Sequence, residues 1–264
     1  MFGMIRSYFI NRKLICELAM NDLKARFSNS IFGILWTIVQ PLINMLVIWL
    51  VFQVGFKSSN LSDDTPFIVW YMPAFLIWNF FSEATSQATN SFIEYSYLIK
   101  KVNFTTEIIH VIKVVASAIV HSFFILFIIF VNICYGYYPQ LSYFQVLYYF
   151  FAAICFALAL GILFGSMAPY APDVNNLVAI AIQIGFWVTP IFWDPSNMHY
   201  NVQRVLMLNP MYYICQGYRE SFIYGKGFWT HPGISIYFWS IVIAMLIFGI
   251  RMYKKASVNF DDVL

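Results

Sequence analysis

Two ionisable residues lie inside long apolar stretches of this sequence, where they could do acid–base chemistry or line a path for polar solutes. They are Glu83 and His121, and an ionisable group within a membrane is a candidate functional site by default. For His121, the simpler alternative is a neutral histidine bonded to a neighbouring helix. The polar stretch from Ser82 to Asn90 would be costly against lipid. We expect it to face a protein interface or an aqueous path, the alternative being a helix end that emerges into the cytoplasm.

Sequence motifs for nucleotide, metal or nucleophilic chemistry are absent. There is no GxxxxGK[ST] phosphate-binding loop, no HExxH and no GxSxG. The four cysteines form no CxxC pair and have no metal-ligand spacing. We therefore predict no catalytic residues, no metal site and no cofactor in this chain.

The composition indicates what surrounds these residues. Hydrophobic residues make up 61% of the 264 residues, charged residues only 10%, and the mean hydropathy is +0.71. Soluble domains are about 45–50% apolar and about 25% charged, which argues against a soluble enzyme, a disordered scaffold or a coiled coil. The sequence predicts an integral membrane protein of the all-α class.

Uncharged runs predict six transmembrane helices in a single domain, 1–264, because a bilayer core takes about 20 apolar residues. The run 114–172 is too long for one span and divides at the turn-like sequence YGYYPQ, 135–140. Segment 91–105 then connects two spans in the cytoplasm. Segment 194–232 is predicted to form short re-entrant helices on the outer side, or else an interfacial loop held by aromatic anchors. The predicted spans are about 31–56, 66–90, 108–134, 142–168, 174–193 and 233–253.

The basic residues predict that both termini are cytoplasmic. Of the 15 Lys and Arg residues, all but Lys57, Arg204, Arg219 and Lys226 would then lie on the inner side. Residues 1–29 are predicted to form an amphipathic helix on the inner surface, where basic residues beside an apolar stripe suit anionic lipids. Alternatively, these charges only set the topology.

Several short motifs follow one another along the chain. They are DLKARF at 22–27, GILW at 33–36, QPL at 40–42, LIKKVNF at 98–104, APDV at 171–174, NPM at 209–211 and YRE at 218–220. In this order, over essentially the whole chain, they resemble the transmembrane subunit of ABC-2 type polysaccharide exporters, the O-antigen, capsule and teichoic-acid permeases. Two departures are Thr105, where the family often has Pro, and Pro172, where it often has Arg.

The resemblance implies a homodimer of six-span subunits paired with two copies of an ABC ATPase subunit. ATP and Mg²⁺ would be bound by that partner, which agrees with the missing phosphate-binding loop. The implied activity is export of a lipid-linked polysaccharide across the cytoplasmic membrane of a bacterium. The partners would then be the ATPase, the glycolipid and membrane lipids, with no nucleic acid.

The resemblance and the charge pattern together single out four groups of residues. Basic side chains suited to a lipid pyrophosphate are Arg6, Arg12, Lys13, Lys24 and Arg26. Residues implied to contact the ATPase are Glu94, Tyr95, Leu98, Lys100, Lys101 and Phe104. Channel-lining candidates are Trp70, Tyr71, Trp78, Glu83 and Gln87, although the aromatics among them would equally suit an interfacial belt. The outer motif comprises Asn209, Pro210, Tyr218, Arg219 and Glu220.

Two other functions remain open from the sequence. An ABC-2 permease for drugs or small lipids would share the same fold. An integral membrane transferase would need buried acid or histidine groups at a donor site, for which Glu83 and His121 are the candidates.

Overall fold

A computed structural model describes residues 2–26, 30–55, 65–101 and 105–260 of the chain. These residues are mostly helical and include no strand, which confirms the all-α prediction. The helices are α1 (Phe2–Ile10), α2 (Arg12–Ala25), α3 (Trp36–Leu50), α4 (Phe67–Glu94), α5 (Ser96–Lys101), α6 (Ile109–Cys134), α7 (Gln145–Gly165), α8 (Asp173–Val188), α9 (Tyr200–Met207), α10 (Pro210–Arg219) and α11 (Pro232–Ala256).

Four helical segments among the described residues are long and apolar enough to cross a membrane, judged by length and composition. They are Gly33–Gly55, Thr106–Cys134, Leu141–Gly165 and Pro232–Ala256. The other two predicted spans coincide with α4 and α8. The 28 residues of α4 extend about 42 Å at 1.5 Å per residue, but polar residues in its second half lower its hydropathy. The 16 residues of α8 reach about 24 Å, so the six-span topology stays a prediction.

Helix α4 is the centre of the bundle. It packs against α6, α7 and α10, and its apolar first half is buried on every side, as the full burial of Tyr71, Leu76 and Ile77 indicates. Its approach to α7 is close because small residues meet there. A Cβ atom built on Gly161 of α7 would lie 2.4 Å from the Cβ of Ala88 on α4. The spacing of these two helices therefore depends on that glycine.

The amino-terminal region differs from the single amphipathic helix predicted over 1–29. It forms two helices that meet at Asn11, whose side-chain amide donates to the carbonyl of Ser7. The backbone hydrogen bonds continue across this junction, since the N–H of Asn11 donates to the carbonyl of Ser7 and the N–H of Ile15 to the carbonyl of Asn11. Helix α2 packs against α6 through a buried stripe, while its basic side chains are exposed. The stripe consists of Ile15, Ala19, Asp22 and Leu23.

Segment 194–232 contains short helices, of which α10 packs against both α4 and α7. Much of α10 is buried, including Ile214 and Cys215. The thiol of Cys215 lies 3.8 Å from the carbonyl oxygen of Ala74 on α4. Protein rather than lipid therefore covers this helix, which is the condition that re-entrant backbone requires.

We expect Gly161→Ala to lower stability by about 1–3 kcal/mol, because the added methyl group forces α4 and α7 apart. The measurement is thermal unfolding of the detergent-solubilised protein. Gly233→Ala is the matched control, since no atom beyond its chain neighbours and its own helix backbone lies within 4 Å of the position of its added Cβ. Equal unfolding temperatures for the two variants would contradict the close packing of α4 against α7.

Candidate functional site

One face of the second half of α4 is polar. Glu83, Gln87, Asn90 and Glu94 follow one another at spacings of four, three and four residues, which places them on one side of the helix. This face borders a cavity of about 570 Å³ between α3 and α4. The lining residues of this first cavity are Arg26, Trp36, Thr37, Gln40, Pro41, Asn44, Asn79, Ser82, Glu83, Ser86, Gln87, Asn90 and Glu94.

A second cavity of about 550 Å³ adjoins the first and reaches α8. The two share lining residues, so they form one continuous depression, which we call the polar groove. The shared residues are Asn44, Asn79, Ser82 and Ser86. Beyond them the second cavity adds the amide of Gln183 and the rings of Phe75, Trp78 and Phe186. Amide and hydroxyl groups thus continue along the groove beside aromatic rings.

A charge cluster closes the α2 end of the polar groove. We use this term for Asp22, Arg26, Glu83, Glu94 and Lys113. Arg26 donates through Nε to Asp22 at 2.9 Å and through a second guanidinium nitrogen to Glu83. Lys113 on α6 is fully buried, and its Nζ lies 2.5 Å from Asp22 and 2.6 Å from Glu94. Five charged groups from α4, α6 and the carboxyl end of α2 are therefore linked into one chain.

The basic residues predicted to bind a pyrophosphate occupy two environments. Arg6, Arg12, Lys13 and Lys24 are exposed. Arg26 is different, because two carboxylates already engage its guanidinium group. With three carboxylates against two cations, the cluster carries a formal net charge of −1 when all its groups are ionised. An anion could reach Arg26 only in competition with these acids.

The predicted coupling segment begins at the charge cluster, of which Glu94 is a member and to which Tyr95 binds. Glu94 ends α4, and the hydroxyl of buried Tyr95 donates to Asp22 at 3.2 Å. The Nζ of Lys113 lies 4.9 Å from the centre of the Tyr95 ring. Leu98 is half-buried, and Lys100 and Lys101 fall within α5. Phe104 lies outside the described residues.

Sequence reasoning misses the part of Asp22 and Lys113 in this site. In the sequence, Lys113 is one of the inner basic residues that set topology, and Asp22 is only the first residue of a motif. A signal is present, because Lys113 directly precedes the uncharged run 114–172. A lysine at the start of such a run needs an acidic partner when it is buried. The linear chain does not identify that partner, which lies 91 residues away.

The outer motif has a clear structural part. The side-chain oxygen of Asn209 accepts from the backbone N–H of Met211 at 3.0 Å and caps α10, with Pro210 at the first helical position. The Asn209 amide also donates to Thr189 at 2.7 Å. Glu220 is buried, and burial raises its pKa, although exposed His231 opposes this effect from 3.6 Å.

Arg219 is buried and ties the outer segment to α4. It donates to the carbonyl oxygens of Trp70 at 3.1 Å and Ile191 at 2.6 Å. Its guanidinium carbon lies 3.5 Å from the centre of the Trp70 ring, a close cation–π contact. The sequence predicts that Trp70 and Tyr71 line a channel. In the single chain, both side chains are buried in the subunit core.

The remaining candidates within the predicted spans are His121, Trp78, Glu83 and Gln87. His121 Nε2 lies 3.0 Å from the hydroxyl of Tyr218 on α10, which agrees with the simpler interpretation of a histidine bonded to a neighbouring helix. Trp78 borders the polar groove, as do Glu83 and Gln87. The structure thus brings three of the five channel candidates to one surface.

The structure thus combines long apolar helices with a polar groove beside them. The chain belongs to the ABC-2 type transporter family, whose family model matches residues 13–223. Among curated proteins, it is 24% identical over 252 residues to the O-antigen export system permease protein RfbA of Klebsiella pneumoniae, covering 95% of each chain. It is 25% identical over 224 residues to the protein of the same name from Myxococcus xanthus, covering 84% of this chain and 85% of that one.

We expect Arg219→Lys to lower stability by about 1–3 kcal/mol, because an ammonium group cannot reproduce the stacked guanidinium and its two carbonyl bonds. Thermal unfolding in detergent measures the change. Arg204→Lys is the control, since Arg204 is exposed on α9. An unchanged unfolding temperature for Arg219→Lys would mean that these contacts contribute nothing to the stability of the folded protein.

Proposed function

We propose that this chain is the membrane permease subunit of an ABC exporter that moves a lipid-linked polysaccharide of the O-antigen type across the bacterial cytoplasmic membrane. Family membership and the printed names of its relatives support this proposal. The observation that carries it is the polar groove, which offers uncharged hydrogen-bonding groups beside long apolar helices.

The chemistry of the polar groove suits a glycan. Its polar side chains from Asn44 to Gln183 in the second cavity are amides and hydroxyls without charge. Such groups both donate and accept hydrogen bonds, as sugar hydroxyls do. Trp78 and Phe186 add aromatic faces, on which the C–H faces of sugar rings can stack. A neutral polyol would find partners along this part of the groove.

The open side of the polar groove supports a homodimer. Gln40, Asn44, Ser86 and Gln183 are exposed in the single chain, and amides left facing hydrocarbon would lose their hydrogen bonds. The groove is flanked by exposed apolar residues of α3 and α8 that a partner would bury. They are Ile43, Leu46, Val47, Leu50, Leu177, Ile180, Ile184 and Trp187. A second copy placed here would enclose a polar path between the two subunits.

The energy would come from a separate ATPase subunit, two copies per dimer, that binds ATP and Mg²⁺. The sequence lacks a phosphate-binding loop of its own. Helix α5 follows the charge cluster directly and is the element we assign to contact this ATPase. With both termini cytoplasmic, exposed Arg12, Lys13 and Lys24 would lie at the inner leaflet, where a lipid pyrophosphate is presented.

An ABC-2 permease for small lipids or drugs is the second candidate, favoured by an apolar cavity of about 360 Å³ between α4, α7 and α8, which shares Trp78 and Ile182 with the second cavity of the groove. Its walls include Phe81, Phe156, Leu160 and Ile182. Such a cavity suits an acyl chain or an apolar drug. The polar groove has no evident role in that function, and we therefore prefer glycan export.

We expect Asn79→Leu to reduce surface glycan at least tenfold while the complex still assembles, because Asn79 borders both cavities of the groove. Surface glycan on cells that carry the variant as their only copy is the measurement. Asn201→Leu, at an exposed site on α9, is the matched control. Normal glycan export by Asn79→Leu would remove the groove from the path, and equal loss in both variants would indicate a general defect.

We expect the purified chain to hydrolyse no ATP on its own and to co-purify with an ABC ATPase from its native membranes. A pull-down with a tagged chain, followed by an ATPase assay of the chain alone and of the complex, checks both points. Robust ATP hydrolysis by the isolated chain would contradict a permease role.

A further inference from the structure

Lys113 joins three parts of the chain at one ammonium group. It lies near the start of α6 with no exposed surface, and its partners come from elsewhere: Asp22 on α2 and Glu94 at the end of α4. The ring and hydroxyl of Tyr95 complete the arrangement, since the ring faces Lys113 and the hydroxyl donates to Asp22. The position of the residues that lead into α5 is thus set by a buried cation.

The linkage continues from Lys113 to the wall of the polar groove. Asp22 is shared between Lys113 and Arg26, and Arg26 in turn binds Glu83. Glu83 lies on the same face of α4 as Glu94, about three helical turns away. The carboxyl end of α2 is consequently held against α4 at two points, one beside α5 and one on the groove wall.

The ion pairs of the charge cluster differ in how readily they can break and form again. Lys113 and the Asp22 carboxylate are almost completely buried, and breaking such a pair leaves an uncompensated charge in an apolar setting. The side chains of Glu94 and Glu83 are 45% and 28% exposed. When one of these ion pairs breaks, water can therefore solvate the carboxylate in part. The Lys113–Asp22 pair is the fixed centre, and the two glutamates are the ends that can move.

We propose that Lys113 is a positioning residue for transport: it holds Asp22 and Glu94 together, so that a displacement of α5 reaches Arg26 and Glu83 on the groove wall. This inference rests on the proposed function, in which an ATPase moves α5. The physical basis is a set of linked ion pairs around a buried centre, which contacts both the start of α5 and the groove wall. It assigns Lys113 and Asp22 a part in coupling, besides their part in stability.

The test measures how accessible the groove is to a small reagent, so the glycan need not be identified. A cysteine placed at Ser86, which is exposed in the groove, reports access to a charged methanethiosulfonate reagent after Cys16 and Cys134 are replaced by serine. The rate of modification is measured in the complex with its ATPase, without nucleotide and with Mg-ATP plus vanadate. We expect the parent rate to change at least fivefold, and Lys113→Met to reduce that change to less than twofold while ATP hydrolysis stays within twofold of the parent.

Glu94→Gln serves as the second variant, because Glu94 is partly exposed and its loss leaves the buried Lys113–Asp22 pair intact. It should lose the nucleotide response in the same way, even if Lys113→Met fails to fold. Glu17→Gln is the matched control, since it makes the same chemical change at an exposed position on α2 and should keep the full response.

A full nucleotide response in Glu94→Gln would overturn the inference, as would a parent protein whose Ser86 site does not respond to nucleotide. Failure of the proposed function has a different signature: no ATPase would co-purify, and loss of the chain would leave surface glycan unchanged. The two proposals can therefore fail separately.

Discussion

A charge enclosed in an apolar helical bundle must be paired, and the end of the bundle that holds α2 and α5 is arranged around that requirement. Lys113 has no exposed surface, and Asp22 and Glu94 neutralise it. Together with the apolar residues of the buried stripe on α2, these contacts join α2 to α6 and to the end of α4. Without them, a buried ammonium group would cost several kcal/mol. The packing of α2, the start of α5 and the wall of the polar groove all depend on this pairing.

In segment 194–232, the buried charge of Arg219 is compensated in a different way. Arg219 has carbonyl oxygens and an aromatic face as partners instead of a carboxylate. These contacts hold the segment to α4 and keep Trp70 in the subunit core. Arg219 belongs to a motif that the sequence singles out, and in the structure its contacts stabilise the backbone of this segment. Asn209 does likewise, since it caps α10 and bonds to Thr189.

Polar residues of α3, α4 and α8 lie together along the polar groove. A permease needs a polar path inside an apolar protein, and uncharged amides provide hydrogen bonds without the cost of buried charge. The charge cluster lies at one end of this path and α5 lies next to the cluster. Transport and energy coupling would therefore meet at α4, whose polar face borders the groove and whose carboxyl end leads to α5.

Much of the fold followed from the sequence, whereas the site followed only in part. The predicted spans agree with the long helices because hydrophobicity over about 20 residues is a local property. The helix predicted over 1–29 is divided into α1 and α2 at Asn11, a local feature that the apolar periodicity does not show. The polar stretch around Glu83 borders the polar groove, and its separation from lipid stays a prediction. The sequence did not distinguish Trp78 at the groove from Trp70 in the core, because both are aromatic residues of the same helix.

The sequence by itself determined that this is an all-α membrane protein of the ABC-2 family, since composition, uncharged runs and short motifs are properties of the linear chain. Only the tertiary structure decided which charges meet. Asp22 and Lys113 are 91 residues apart, and no periodicity links them. Their pairing arises because α2 packs against α6 beside the end of α4, and in that apolar setting each of these charges needs the others.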